Sequence, residues 1–133
     1  MPPPPERLPV GNDPDVVRVR QAVREAAVGR GFGLVDQTKI VTAASELARN
    51  TLRHGKGGWV VIEPVEEGAR LGLRLIFEDQ GPGIPDVEKA LIDGFSTGDG
   101  LGLGLGGARR LMSDFAIDSA PGRGTRVVVV RWR

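Results

Sequence analysis

The sequence predicts an α/β fold, a two-layer sandwich in which helices cover one face of a mixed, mostly antiparallel sheet. Two long segments in the first half of the chain carry apolar residues at helical spacing. Leu71–Phe77 is a largely apolar run that predicts a buried strand, and the continuous run Val127–Val130 predicts a strand that is buried on both faces. In total the sequence predicts three main helices and at least four strands, mixed in order along the chain.

The composition is that of one globular domain. The chain has 133 residues, with 18 basic and 17 acidic side chains and a net charge of +1, which gives no electrostatic reason to expect nucleic acid or a membrane as a partner. The absence of cysteine excludes disulfides and cysteine-bound zinc, and a single histidine argues against a histidine metal site. No segment resembles a membrane span or a signal peptide, so we expect a cytoplasmic protein.

The N-terminus is rich in proline. We expect residues 1–13 to be flexible, unless Arg7–Val10 adds an edge strand, and residues 14–133 to form the folded domain. The first helix is predicted over Asp15–Gly31, capped by an aspartate and ended by a glycine.

A second helix is predicted over Asp36–His54, with Asp36 as its N-cap. Glu46 and Asn50 are four residues apart, so they lie on one face of this helix, at the margin of its apolar arc. A side chain at this margin is partly buried yet borders a cleft. Arg49 is expected to point to the opposite side, where it is a candidate for docking a partner.

Turn residues delimit the remaining elements. Strands predicted at Gly57–Glu63 and Leu71–Glu78 form an antiparallel hairpin. A short helix, a glycine-rich loop, a third main helix and two C-terminal strands complete the chain. Their predicted bounds are Val87–Ile92, Asp93–Leu101, Leu103–Phe115, Ala116–Ser119 and Thr125–Trp132.

The turn after this hairpin is the feature around which the chain is organised. Glu78-Asp79-Gln80-Gly81-Pro82-Gly83-Ile84 places an acid at the end of a buried strand, with glycines two and four residues after Asp79. Glycines permit a sharp turn and let another molecule approach the backbone closely. The turn therefore predicts a ligand-binding site.

Two common nucleotide sites do not fit this chain. It lacks the Gly-x-x-x-x-Gly-Lys-Ser/Thr pattern of a P-loop. Gly102-x-Gly104-x-x-Gly107 matches the dinucleotide fingerprint, but that site needs a strand directly before its first glycine. The preceding residues, Gly94 to Gly100, are too rich in glycine to form a buried strand.

What remains is a glycine loop that runs into the N-terminus of a helix, whose N–H groups and dipole suit phosphate. The loop has no lysine, so a divalent cation has to neutralise much of a triphosphate. Asn50 offers an oxygen ligand to Mg²⁺, and Glu46, one turn away, is placed to accept a proton from an attacking hydroxyl. Asp79 is placed to accept from the exocyclic amine of adenine, where guanine has a carbonyl.

These stretches resemble the GHKL ATPase superfamily, which has the Bergerat, or histidine-kinase-like ATPase, fold. The matching boxes are Glu46-x-x-x-Asn50, Asp79-x-Gly81-x-Gly83, Gly100–Gly107 and Gly122-x-Gly124-Thr125, in the superfamily's order. Longer stretches are similar to RsbT-type serine/threonine kinases. They are Ser45–Asn50, Glu78–Asp86, Asp93–Thr97 and Arg110–Phe115, and the resemblance extends from about Asp15 to Arg133.

The resemblance implies a small bacterial switch kinase of the stress-response, or stressosome, pathway. Such kinases phosphorylate serine or threonine on STAS-domain partners of the RsbS and RsbR type and, once released from them, activate an RsbU-type phosphatase. The implied cofactors are ATP and Mg²⁺, with Glu46 as the catalytic base, Asn50 as the Mg²⁺ ligand and Asp79 at adenine. The other implied nucleotide-binding residues are Gly81, Gly83, Ile84, Gly100, Gly102, Gly104, Gly106 and Thr125.

Two other functions remain open. An anti-sigma-factor kinase of the RsbW or SpoIIAB type has the same fold, although Gln80–Pro85 and Phe95–Thr97 favour the RsbT type. The second is a docking module that is gated by nucleotide and catalyses little. Histidine-kinase activity is disfavoured because a phosphoacceptor-helix domain does not fit in this length. Asp99 departs from the family pattern by placing a negative charge in the glycine loop, and we expect it to face water or a partner.

Overall fold

The computed structural model describes residues 3–92 and 104–133. The elements within these residues are β1 (Glu6–Val10), α1 (Asp13–Gly29), α2 (Leu34–Arg53), β2 (Gly58–Glu67), β3 (Arg70–Asp79), α3 (Val87–Ala90), α4 (Gly104–Leu111), β4 (Asp114–Ser119) and β5 (Thr125–Trp132). None of the described helices is both long enough and apolar enough to cross a membrane.

The five described strands form one sheet in the order β1-β2-β3-β5-β4. All four pairings are antiparallel, which confirms the mostly antiparallel prediction and leaves no parallel pair among the described strands. β1 pairs with β2 from Glu6↔Ile62 to Val10↔Gly58. The edge strand that the sequence left open at Arg7–Val10 is therefore present as β1, and the fully buried Val10 packs it against the core.

The helices cover one face of the sheet, as predicted. Alternate strand residues are buried against them, as expected for strands with one covered face: Val60, Ile62, Leu73, Leu75, Phe77, Val127 and Val129. The predicted apolar arc of α2 supplies much of the opposing layer, including Ile40, Ala43, Ala44, Leu47 and Ala48. Val128 of β5 is only half-buried, so the prediction of a strand buried on both faces is wrong at that position.

Both long helices begin two residues earlier than predicted. Asn12, and no aspartate, caps α1, and its side-chain oxygen accepts from the Asp15 N–H at an N···O distance of 2.8 Å. The N-cap of α2 is Gly33 instead of Asp36. Asp36 lies in the first turn and accepts from Arg131 of β5 at 2.8 Å. The early start was missed because Leu34, the first residue of α2, is exposed and lies outside the apolar arc.

The β2–β3 hairpin is longer than predicted and includes Pro64, which pairs with Leu73. Proline is tolerated there because the pairing of β1 with the other edge of β2 ends at Ile62. The third main helix is shorter than predicted, because α4 ends at Leu111 and Phe115 pairs with Val129 as part of β4.

Candidate active site

Asp79 is the last residue of β3 and is buried, with 7% of its surface exposed. Its Oδ1 accepts from the Gly81 N–H at 2.9 Å, which forms the start of the predicted turn. Burial raises the pKa of the Asp79 carboxyl above its ordinary value, while N–H groups of Gly81 and Thr125 and the charge of His54 act in the opposite direction. The result is a carboxyl acceptor held rigidly at the end of a strand.

Gly55 joins the end of α2 to this turn. A Cβ at position 55 would overlap with the Asp79 carboxyl group, and a Cβ at position 81 would lie 2.7 Å from the Gly55 Cα. Both positions therefore require glycine for the helix end and the acidic turn to meet. From the sequence alone Gly55 was only a residue that followed the helix, and its contact with Asp79 was missed.

The predicted turn continues into contact with the loop between β4 and β5. The Gly122 N–H donates to the Pro82 carbonyl at 2.7 Å. Gly83 has φ +80°, and a Cβ there would overlap with the Ala120 carbonyl oxygen. Gly83 thus has both a conformational and a steric requirement for glycine.

Ser119 is a site residue that the sequence did not indicate. Its hydroxyl oxygen accepts from the Ile84 N–H at 2.8 Å and lies 2.8 Å from the Thr125 Oγ1. The Ser119 hydroxyl also lies 3.1 Å from the Gly124 carbonyl, to which it donates. Ile84 and Thr125, both predicted to bind the nucleotide, are therefore joined through one serine, and no pattern in the chain pointed to it.

Glu46 is buried within α2, with 7% of its surface exposed. Its Oε1 accepts from Arg49 Nη1 at 2.9 Å. The prediction that Arg49 points away from Glu46 was therefore wrong, since residues three apart on a helix are neighbours and a guanidinium is long enough to reach back. The docking role suggested for Arg49 stays a prediction.

Asn50 lies one turn beyond Glu46 and is half-buried. Its backbone carbonyl accepts from the His54 N–H at 2.9 Å. Within residues 3–92 and 104–133, its side-chain amide has no hydrogen bond, so the amide oxygen is available to a ligand. The same part of the chain contains no cluster of three acidic, histidine or cysteine side chains that could hold a metal by themselves.

The part of the Gly100–Gly107 segment that the structure describes lies in α4. Gly104 begins this helix with φ +53°, and Gly106 is buried within it. α4 packs against α2, the helix that carries Glu46 and Asn50. Gly100 and Gly102, the other two predicted phosphate contacts, and Asp99 lie outside the described residues.

Taken together, α2 contacts both other predicted regions. Its C-terminal end meets the Asp79 turn through Gly55, and α4 with its glycines packs along it. A buried carboxylate and an available amide lie on the same helix, one turn apart. The arrangement offers an acceptor for a nucleotide base at the Asp79 turn, and a proton acceptor with an oxygen ligand on α2.

Comparison with known proteins identifies the family of this chain. Residues 35–133 match the family described as histidine kinase-, DNA gyrase B-, and HSP90-like ATPases. The chain is 49% identical over 118 residues to the serine/threonine-protein kinase RsbT of Bacillus subtilis (strain 168), covering 89% of each chain. It is 32% identical over 99 residues to the anti-sigma F factor of Thermoanaerobacter sp. (strain X514), covering 70% of this chain and 68% of that one.

The fold has a counterpart among solved structures. The mycobacterial sensor histidine kinase MprB superimposes with a TM-score of 0.56 at 18% identity, covering 96% of both chains. At this level of identity the similarity concerns the fold alone.

Proposed function

The chain belongs to the family of histidine kinase-, DNA gyrase B- and HSP90-like ATPases and is a protein serine/threonine kinase, and we propose that it phosphorylates STAS-domain partners of the RsbS or RsbR type. The observation that carries the phosphate-transfer part of this proposal is the buried Glu46 carboxylate one turn from the Asn50 amide, on a helix whose end contacts the Asp79 turn. Release from these partners frees the kinase to activate an RsbU-type phosphatase in a bacterial stress response.

In the proposed site Asp79 accepts from the exocyclic amine of adenine. The position of Asp79 at the end of β3, beside the glycine turn, supports this role. A hydrogen bond to a charged acceptor contributes about 1.5–3 kcal/mol, and the carbonyl that guanine presents at that position has no proton to donate. Gly81 and Gly83 form the floor beneath the base, where a side chain would displace the backbone of Gly55 or Ala120. Ile84 and Thr125 flank it.

Gly104 and Gly106, with Gly100 and Gly102, would face the phosphates. The residues also fit Mg²⁺, which takes few protein ligands and keeps several waters. Asn50 would hold it, because its amide oxygen has no hydrogen bond in the described part of the chain. When bound, the ion neutralises phosphate charge. Glu46 accepts the proton of the attacking serine or threonine hydroxyl, and the hydroxyl oxygen forms a bond to the γ-phosphorus of ATP. The bond from that phosphorus to the β–γ bridging oxygen breaks, and ADP leaves.

The experiment is phosphate transfer from ATP to a purified STAS-domain protein, with the modified residue identified by mass spectrometry. Glu46→Gln should keep ATP binding and lower kcat by roughly 10²–10⁴-fold, because it removes a general base. A Glu46→Gln variant with the wild-type rate would contradict the assignment of the base.

A second candidate is an anti-sigma-factor kinase, which the similarity to an anti-sigma F factor favours. The two candidate functions, a kinase of STAS-domain proteins and an anti-sigma-factor kinase, differ in the partner protein that each one binds. Nucleotide-dependent binding of a sigma factor, with no phosphorylation of an RsbS-type protein, would support the second candidate. ATP binding without transfer to any STAS partner would support a nucleotide-gated docking module.

A further inference from the structure

We propose that Arg49 is a positioning residue for phosphate transfer, which holds the Glu46 carboxylate so that one of its oxygens is directed at the attacking hydroxyl. The inference rests on the proposed role of Glu46 as the base. Its starting point is the 2.9 Å contact between Arg49 Nη1 and Glu46 Oε1. The guanidinium is bound to one carboxylate oxygen, and Oε2 has no hydrogen-bond partner among residues 3–92 and 104–133.

The burial of Glu46 explains why such a partner is needed. A carboxylate that is 7% exposed loses most of its hydration, and this cost has to be offset by a counter-charge and hydrogen bonds. In the described part of the chain Arg49 supplies both. Without Arg49 the carboxylate has no donor to hold it in place, and its preferred orientation is toward water.

The geometry of α2 places Arg49 and Asn50 on either side of Glu46. At about 100° per residue, positions three and four residues further on lie on opposite sides of the row that runs through Glu46. Arg49 therefore contacts the carboxylate from one side of this row, and Asn50 lies on the other side of the row. The arrangement leaves Oε2 as the free acceptor on a carboxylate that is held in a fixed orientation.

A second ion pair of the same spacing, on α1, offers a comparison with a pair whose role is only structural. Arg18 Nη1 contacts Asp15 Oδ1 at 2.6 Å on α1, again three residues apart and again on a buried carboxylate. There the second oxygen, Asp15 Oδ2, accepts from the Gly11 N–H at 2.9 Å. Both oxygens of Asp15 are used within the fold, whereas only one oxygen of Glu46 is. Arg18 is therefore the matched control.

The test measures transfer to a saturating STAS-domain partner together with ATP affinity by calorimetry. Arg49→Ala should lower kcat roughly 10- to 100-fold, since a small misplacement of a catalytic group costs up to about 10². The Kd for ATP should change by less than about twofold, because Arg49 is proposed to act on the Glu46 carboxylate and not on ATP. Arg49→Lys should recover part of kcat, since it restores the charge without the planar guanidinium.

Arg18→Ala should keep the wild-type kcat, which separates the effect at Glu46 from the general loss of a helix ion pair. Arg49→Gln serves if Arg49→Ala does not fold, as judged by thermal unfolding. An Arg49 variant that folds and transfers phosphate at the wild-type rate would overturn the inference.

A double substitution gives the sharper result. If Arg49 acts only through Glu46, then Arg49→Ala in a Glu46→Gln background should lower kcat by less than about twofold further. Losses that multiply would mean that Arg49 acts independently of Glu46, for example by docking the partner, and would overturn the inference. A wild-type protein that binds ATP but transfers no phosphate would instead overturn the proposed function, and with it the assignment of Glu46 as the base.

Discussion

The carboxyl group of Asp79 lies against the Cα of Gly55, so closely that a Cβ at position 55 would overlap with it. Asp79 ends β3 and Gly55 follows α2, so this one contact sets how the long helix meets the acidic turn. It is also a point where the proposed adenine site and the helix that carries Glu46 and Asn50 are mechanically joined.

Gly55→Ala should therefore separate the two regions. The extra methyl group has no room, and overpacking of this kind costs about 1–3 kcal/mol of stability. We expect a lower free energy of unfolding in denaturant and weaker ATP binding by calorimetry. Gly29→Ala is the matched control, because a Cβ at the end of α1 meets nothing within 4 Å. Equal ATP affinity in the Gly55→Ala variant and in the wild type would contradict the proposed link.

Asp79→Asn tests base selection. The wild type should bind ATP in preference to GTP, and the variant should lose roughly ten- to a hundredfold in ATP affinity, the equivalent of a charged hydrogen bond of about 1.5–3 kcal/mol. Calorimetry with both nucleotides in the presence of Mg²⁺ measures this. Glu78→Gln is a suitable control, since Glu78 is the neighbouring acid and pairs with Arg126 at 2.9 Å on the other face of the strand. Unchanged selectivity in Asp79→Asn would rule out Asp79 as the base reader.

The same residue predicts a dependence of stability on pH. Burial raises the pKa of Asp79 above its ordinary value of 3.8. The folded state therefore keeps the proton to a higher pH than the unfolded chain does, and the stability that this gives is present below pH 3.8 and lost as pH rises through the raised pKa.

Asp79→Asn cannot ionise, so the two proteins isolate this effect. The free energy of unfolding of the wild type, minus that of the variant, should fall as the pH rises from about 4 toward neutrality. Denaturant titrations of both proteins at several pH values provide the measurement. A difference that stays constant or grows with pH would show that the fold does not favour the protonated Asp79.

Asn50→Ala tests the metal role. The variant should bind ATP in the absence of Mg²⁺ as the wild type does and should lose the additional affinity that Mg²⁺ provides, because the amide oxygen is the proposed ligand. Calorimetry with and without the metal separates the two contributions. Thr42→Ala, at a half-buried position two turns earlier on α2, is a suitable control. If the ATP affinity of the wild type did not depend on Mg²⁺, the assignment of Asn50 as the Mg²⁺ ligand would be wrong.

Much of the fold follows from the order of residues, because the signals are local. The spacing of Ile40, Leu47 and Ala48 on α2 predicted the buried face of that helix, and it is the face that packs on the sheet. The position of Asp79 before two glycines predicted the sharp turn at the end of β3. Helix starts were placed less accurately, since the N-cap of α2 is Gly33, which has no side chain to make a capping hydrogen bond and gives no sequence signal.

The sequence by itself determined the kinds of groups in the site: a carboxylate and an amide one helical turn apart, an acid at the end of a strand, and glycines where backbones meet. Tertiary structure decided which of these groups touch. Three contacts join residues that are far apart in the chain. Gly55 lies against Asp79, Ser119 links Ile84 to Thr125, and Arg131 donates a hydrogen bond to Asp36. No local pattern encodes such contacts, because they exist only once the sheet register and the packing of α2 have brought the elements together.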